Sequence, residues 1–186
     1  MRSDQWIGVA AAAGGLGFAG FWIGSLLKVE LVPWPVALAW HGLVILLLTV
    51  GAIGIHRSAK GSQTQTWLGW LGVALVAAGQ MFSLEITMLG LLVFGAAVVM
   101  APRLSRSGGG LLALGAVGFL VTTVINGPFW GDPNPSPSLI PGLTFGASLL
   151  LIALGWIVLG VLRRADRLSA QSPRGFRPHR FRPGQR

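Results

Sequence analysis

Residues 67–101 read WLGWLGVALVAAGQMFSLEITMLGLLVFGAAVVMA, and the way this stretch divides decides the fold. It is too long for one ordinary membrane crossing and short for two helices with a connection. We read it as WLGWLGVALVAAGQMFS at 67–83 and ITMLGLLVFGAAVVMA at 86–101. Leu84 and Glu85 then form a tight hairpin near the membrane surface. No Gly or Pro marks that turn, so a single long, tilted helix is the competing reading.

Outward from this stretch the same solvent argument repeats. WIGVAAAAGGLGFAGFWIGSLL at 6–27 carries no charge and has crossing length. Its positive flank is only Arg2, offset by Asp4, and its apolar run exceeds a signal-peptide core, so a retained helix is expected. A second helix starts at Trp34 and runs to about residue 55, with Pro33 and Pro35 at its start, where a missing amide donor costs least. GGLLALGAVGFLVTTVIN at 109–126 and LTFGASLLLIALGWIVLGVL at 143–162 give the fifth and sixth. Between them, GPFWGDPNPSPSLIPG is too rich in proline for a helix, and Phe129 and Trp130 suit an interface.

Composition agrees. The chain has 186 residues, 53% hydrophobic and 10% charged, against about a quarter charged in soluble domains. There is no cysteine, which excludes disulfides, thiolate metal sites and a cysteine nucleophile. Twelve arginines against two lysines, with much Gly and Ala, hint at a GC-rich bacterial coding bias. The net charge of +9 is uneven: Arg163, Arg164, Arg167, Arg174, Arg177, Arg180, Arg182 and Arg186 crowd the end of the chain. The positive field therefore belongs to one basic tail, 163–186, read as flexible and cytoplasmic, following a membrane domain at 1–162.

Lys and Arg placement sets orientation. With the N-terminus inside, Lys28 lies outside beside Glu30, Arg57 and Lys60 inside, Glu85 outside, Arg103 and Arg106 inside, and Asp132 outside. The arginine-rich tail then returns inside. A five-helix arrangement would strand one basic pair on the wrong side. The expected fold is thus an all-α integral membrane bundle of six transmembrane helices, N-in and C-in, in a bacterial cytoplasmic membrane.

Packing in lipid relies on close approach, so small residues are read first. Gly20 with Gly24, Gly142 with Gly146, and Ala11, Gly15, Ala13 and Gly17 are candidate contact positions. The plainer account is that such spacing is common in a Gly/Ala-rich chain. Trp34, Trp67, Trp70 and Trp130 read as interface anchors, and Trp22, Trp40 and Trp156 as deeper packing residues rather than an aromatic cage.

A polar route through the bundle would draw on His41, Gln80, Glu85, Thr122, Thr123 and Asn126. Each has a plainer reading: His41 bonded across the bundle, Glu85 at a surface turn, and Thr122, Thr123 and Asn126 as interhelical hydrogen bonds. His41, His56 and His179 lack metal-ligand spacing, no Ser-His-Asp set can be assembled, and GGLGFAG and SGGG lack the phosphate-loop ending. No catalytic, metal or cofactor residue is expected. The tail arginines, with Phe176 and Phe181, suit anionic lipid head groups; nucleic acid is not the expected partner.

At LGLLVFGAAVVMAPRLSRSGGGLLALGAVG, residues 89–118, the chain resembles uncharacterised actinobacterial multispan membrane proteins. They join a Gly-rich helix, a short arginine-bearing inner loop and a second Gly/Ala/Leu-rich helix. The matching features are Gly90, Gly95, Arg103, Arg106, Gly110 and Gly115. The resemblance implies a compact multispan envelope protein and carries over no catalytic residue. The leading functional expectation is a non-enzymatic membrane protein, an accessory or assembly component with a homo-oligomer or membrane-protein partner. The alternative is a small transporter or permease using the polar route.

Overall fold

A computed structural model of the chain describes residues 3–26, 33–59, 61–101, 104–126 and 139–171. They form six helices: α1 (Ser3–Leu26), α2 (Trp34–Ser58), α3 (Gln63–Phe82), α4 (Leu84–Met100), α5 (Arg106–Asn126) and α6 (Leu139–Gln171). Among the described residues there is no strand.

The 67–101 stretch is two helices, and the break is a single residue. Ser83 is extended, at φ −165° and ψ 153°, and closes both ends at once. Its backbone N–H donates to Gly79 O at the end of α3, while its hydroxyl accepts from Ile86 N at 3.3 Å. Leu84 and Glu85, expected in the turn, already belong to α4. Glu85 in that first turn suits the positive end of the helix dipole. A serine acting as N-cap is the missing turn signal.

The other helix ends also follow their chemistry. Pro33 and Pro35 open α2, and Ser62 caps α3 by accepting from Gln65 N at 3.2 Å. Ser105 accepts from Gly108 N at the start of α5. α6 runs on to Gln171, past residue 162, because RRADRLSAQ is built from good helix formers and the next breaker is Pro173. The first part of the basic tail is therefore helical. Lys28, Glu30, Lys60, Arg103, Phe129, Trp130, Asp132 and the tail beyond residue 171 lie outside the described residues.

Neighbouring helices run antiparallel and close into a ring, α1 against both α2 and α6. Gly51 faces Ala11, and Gly54 faces Ile7; across the other seam Gly160 faces Gly8 and Ala12. α3 and α4 meet at Gly72–Phe94 and Gly79–Thr87, α4 and α5 at Gly95–Gly109, α5 and α6 at Gly115–Ser148. These pairings leave no room for a Cβ, so glycine is what lets the backbones touch. Gly15 and Gly17 serve in this way, against Trp156 and Val44. Gly20, expected to do the same, faces open space. The seam between α2 and α3 is the most sparsely packed in the ring.

The core follows from a helical period on each element. On α3 the buried positions Gln65, Gly69, Gly72, Val76 and Gly79 recur every three or four residues. Trp156, Phe94, Phe119 and Phe145 fill the centre, with Phe94 stacked on Trp156 at 5.6 Å. The outward faces are apolar as well: Val124 is 83% exposed, and Leu114, Val117 and Val121 also lie outside. A surface of that kind is matched to lipid rather than water.

Three helices are long and apolar enough to cross a membrane: Ala39–Ser58, Arg106–Ile125 and Leu143–Arg163. Leu84–Met100 is a shorter apolar helix beside them, and α1 runs over 24 residues, Ser3–Leu26. Six helices are present, then, but not six equal full-length crossings. α4 has 17 residues, about 25 Å at 1.5 Å per residue, and α3 opens with the polar run Gln63-Thr64-Gln65-Thr66. The chain is a helical, multi-span membrane protein.

Candidate functional site

A gap interrupts the packing behind the loose α2–α3 seam. The space within it that a water-sized group can occupy is about 30 Å³. α2 contributes His41, Val44, Ile45 and Leu48; α4 contributes Leu84, Thr87 and Leu91; Val76, Phe18, Ile152 and Trp156 come from α3, α1 and α6. The gap has room for about one or two water molecules, and no charged side chain lines it.

The antiparallel pairings fix its orientation along the bundle. Gly14 lies against Leu48 and Gly15 against Trp156, so these two lining residues share one level. His41 is seven residues back along α2, about 10 Å away, with its ring 5.1 Å from Phe21. The gap is therefore a slot with an imidazole at one end and an indole at the other. Thr87 stands on its wall and donates its hydroxyl to Ser83 O at 3.4 Å.

Trp156 is 0% exposed, and its indole N–H is buried without an acceptor. Buried indole donors ordinarily find a partner. An unmade hydrogen bond there costs about 1–3 kcal/mol.

The same seam is closed at its other end. His56 packs on Gly69, and its ring meets Trp70 edge-on at 4.8 Å. Gln65, 1% exposed, lies one turn below, its Oε1 buried without a partner. Arg163 reaches across from α6 and donates from Nη1 to Gly54 O at 2.7 Å, an oxygen that Ser58 also uses. The seam is thus pinned at the Arg57 end and open at the Glu85 end.

Of the polar-route candidates, His41 lines the slot. Glu85 is half-buried in the first turn of α4. Gln80 and Asn126 belong to α3 and α5, and their side chains lie outside the described residues. Thr122 and Thr123 donate to Gly118 O at 2.7 Å and Phe119 O at 3.0 Å on their own helix, and Thr122 also reaches the Thr144 hydroxyl on α6 at 3.5 Å, the interhelical contact expected of it. α5 contributes nothing to the slot, so the Thr122–Thr123 pair does not line it.

Trp40 is half-exposed and donates to Gly17 O at 3.4 Å; Trp67 faces outward at 69%. Of the tail arginines, Arg163 holds α6 to α2, while Arg164 and Arg167 lie on α6 with side chains outside the described residues. Sequence reading missed Trp156 as a donor, Thr87, His56 and Gln65. Thr87 shares a helical stripe with Leu91, Phe94 and Val98, which is the signal that it faces inward. Nothing in the sequence shows that the indole of Trp156 lacks an acceptor. Among the described residues no three His, Asp or Glu gather into a metal-binding group. No known protein family, curated protein or solved structure matches this chain.

Proposed function

We propose that the chain crosses a bacterial cytoplasmic membrane six times, N-in and C-in, and acts as an accessory or assembly component without chemistry of its own. The charge polarity of the ring carries this reading. Arg57, Arg106 and Arg163 fall at one end of the bundle and Glu85 at the other, as the cytoplasmic bias for Lys and Arg requires. The apolar outer faces of α2 and α5 then meet lipid or a neighbouring membrane protein. The basic tail meets anionic head groups, each near-surface Arg contributing about 1 kcal/mol at low salt.

Single cysteines introduced at positions 60, 85, 106 and 132 test the topology without removing any native thiol. Membrane-impermeant labelling from the cytoplasmic face should reach 60 and 106, and from the opposite face 85 and 132. Position 85 labelling from the cytoplasmic face sinks the six-crossing reading. Isolation in mild detergent as a bare monomer, with no homo-oligomer or partner, counts against the assembly role.

A small transporter or permease is the second reading, and the slot lined by His41 favours it. Flux into proteoliposomes that His41→Leu abolishes would establish it in place of the first.

A further inference from the structure

We propose that the α2–α3 seam is a gate: α2, carried with α1, swings about its Arg57 end and parts from α3 and α4 at its Glu85 end. The glycines of the two helices show why this seam is free to open. α3 sets Gly72 on Phe94 and Gly79 on Thr87, both of α4, and only Gly69 on α2, against the His56 ring. α2 sets Gly51 on Ala11 and Gly54 on Ile7, both of α1, while its Gly42 meets nothing within 4 Å. Lipid gives helices little hydrophobic reason to stay together, so close approach must hold them. Across α2–α3 a glycine makes that approach once, at one end, and the seam is the most sparsely packed in the ring.

The pivot is fixed by chain and side chain together. Residues 59–62 join α2 to α3 at the Arg57 end, where His56 is buried and meets Trp70 edge-on at 4.8 Å. At the Glu85 end the chain leads α3 into α4 through Ser83, whereas α2 is held to α1. There Gly17 lies on Val44, Gly14 on Leu48, and Trp40 donates to Gly17 O at 3.4 Å. α1 therefore follows α2. Its glycine approaches to α6, Gly160 on Gly8 and Ala12 and Gly15 on Trp156, fall between its Arg57 end and its middle, so the other half can swing without breaking them. Closed, the gap beside His41 has room for about one or two water molecules. Opening widens it sideways, toward lipid. The motion does not depend on which end of the ring faces the cytoplasm, so the topology labelling and this inference fail separately.

The test measures distances between paired nitroxide labels by double electron–electron resonance, on the full chain in lipid nanodiscs. No native cysteine competes for the label. Three pairs of exposed positions are changed to cysteine. Leu46 and Ala77 lie on α2 and α3 toward the Glu85 end, Arg57 and Trp67 on the same helices at the pinned end, and Val117 and Leu150 on α5 and α6. A swing of about 20°, the ordinary scatter of helix crossing angles, acts on an arm of about 15 Å from residue 56 to residue 46 and moves position 46 by about 5 Å. The Leu46–Ala77 pair is expected to show two distance populations about 5 Å apart, and the other two pairs one population each. Leu43 and Phe82 replace Leu46 and Ala77 if that doubly substituted chain fails to fold. A single population at the Glu85 end of the seam overturns the gate. So does a second population at Arg57–Trp67 or at Val117–Leu150, because the motion would then have no pivot or belong to every seam.

Discussion

A glycine in a membrane helix is worth what its neighbour allows, and two positions separate the cases. A Cβ at Gly95 would lie 2.7 Å from Gly109 O and 2.9 Å from Ala113 N. Both are backbone atoms of α5, so a whole helix must shift. Gly95→Ala is expected to destabilise the bundle by about 1–3 kcal/mol, the range for overpacking. Gly110 meets nothing within 4 Å, and Gly110→Ala should stabilise by about 0.5–1 kcal/mol by stiffening the unfolded chain. Thermal unfolding in one detergent decides between them; equal effects would show that these contacts do not govern packing. Arg163 makes a different demand. It donates to a carbonyl near the end of another helix, and Arg163→Gln should cost about 1–3 kcal/mol. The loss should appear as faster amide exchange at the Arg57 end of α2. The small-residue spacing was legible in sequence, but which glycines bear contacts was not. Gly15 and Gly20 have similar neighbours in the chain, yet one meets Trp156 and the other open space. Only the rotation of α1 about its axis separates them, and an apolar residue on every face leaves sequence no means to fix it.

At the scale of elements, one serine decides between two helices and one. Ser83 ends α3 through its backbone and starts α4 through its hydroxyl, so its side chain is worth a cap, typically about 1 kcal/mol. Ser83→Ala is expected to lower stability by that amount, and Ser83→Asp to restore it, because a carboxylate caps as well and favours the N-terminal end of the dipole. Equal stability of all three proteins would assign the break to packing alone. The division of 67–101 was readable from length, since neither one crossing nor two long ones fitted. Its position was displaced by about one residue because Gly and Pro were the expected punctuation and a capping Ser performed it. The end of α6 was less legible for a related reason. Loss of hydrophobicity after residue 162 marks where lipid stops, whereas the helix stops where helix formers stop, at Gln171. The candidate site was read only in part. His41 stood out because a histidine is rare in an apolar run, while Trp156 looked like any core aromatic. An unsatisfied donor is a property of the assembled ring and of no segment within it.

For the whole molecule, the unequal helix lengths set a preference for bilayer thickness. α4, Leu84–Met100, is shorter than the three long crossings, and its 17 residues rise only about 25 Å against a hydrocarbon core of about 30 Å. In a ring of close antiparallel contacts, no single helix can slide or tilt alone without opening two seams. The mismatch must therefore be met by thinning of the bilayer around α4, or by tilt of the long helices, at a fraction of a kcal/mol per Å. The chain should accordingly be most resistant to unfolding in the thinner members of a phosphatidylcholine series with myristoleoyl, palmitoleoyl, oleoyl and erucoyl chains. The readout is the protease concentration that clips half of a reconstituted sample at rising temperature. The loose seam sharpens the expectation. Thick bilayers pull hardest on α4, and α4 lines the slot together with α2, so strain on α4 reaches the α2–α3 opening first. Cleavage in the erucoyl bilayer should begin at Ser83, where α3 meets α4 at the open end of that seam. Highest resistance in the thickest bilayer would mean that α4 is extended by polar turns resting in the head groups, and that the ring spans more hydrocarbon than its apolar lengths imply.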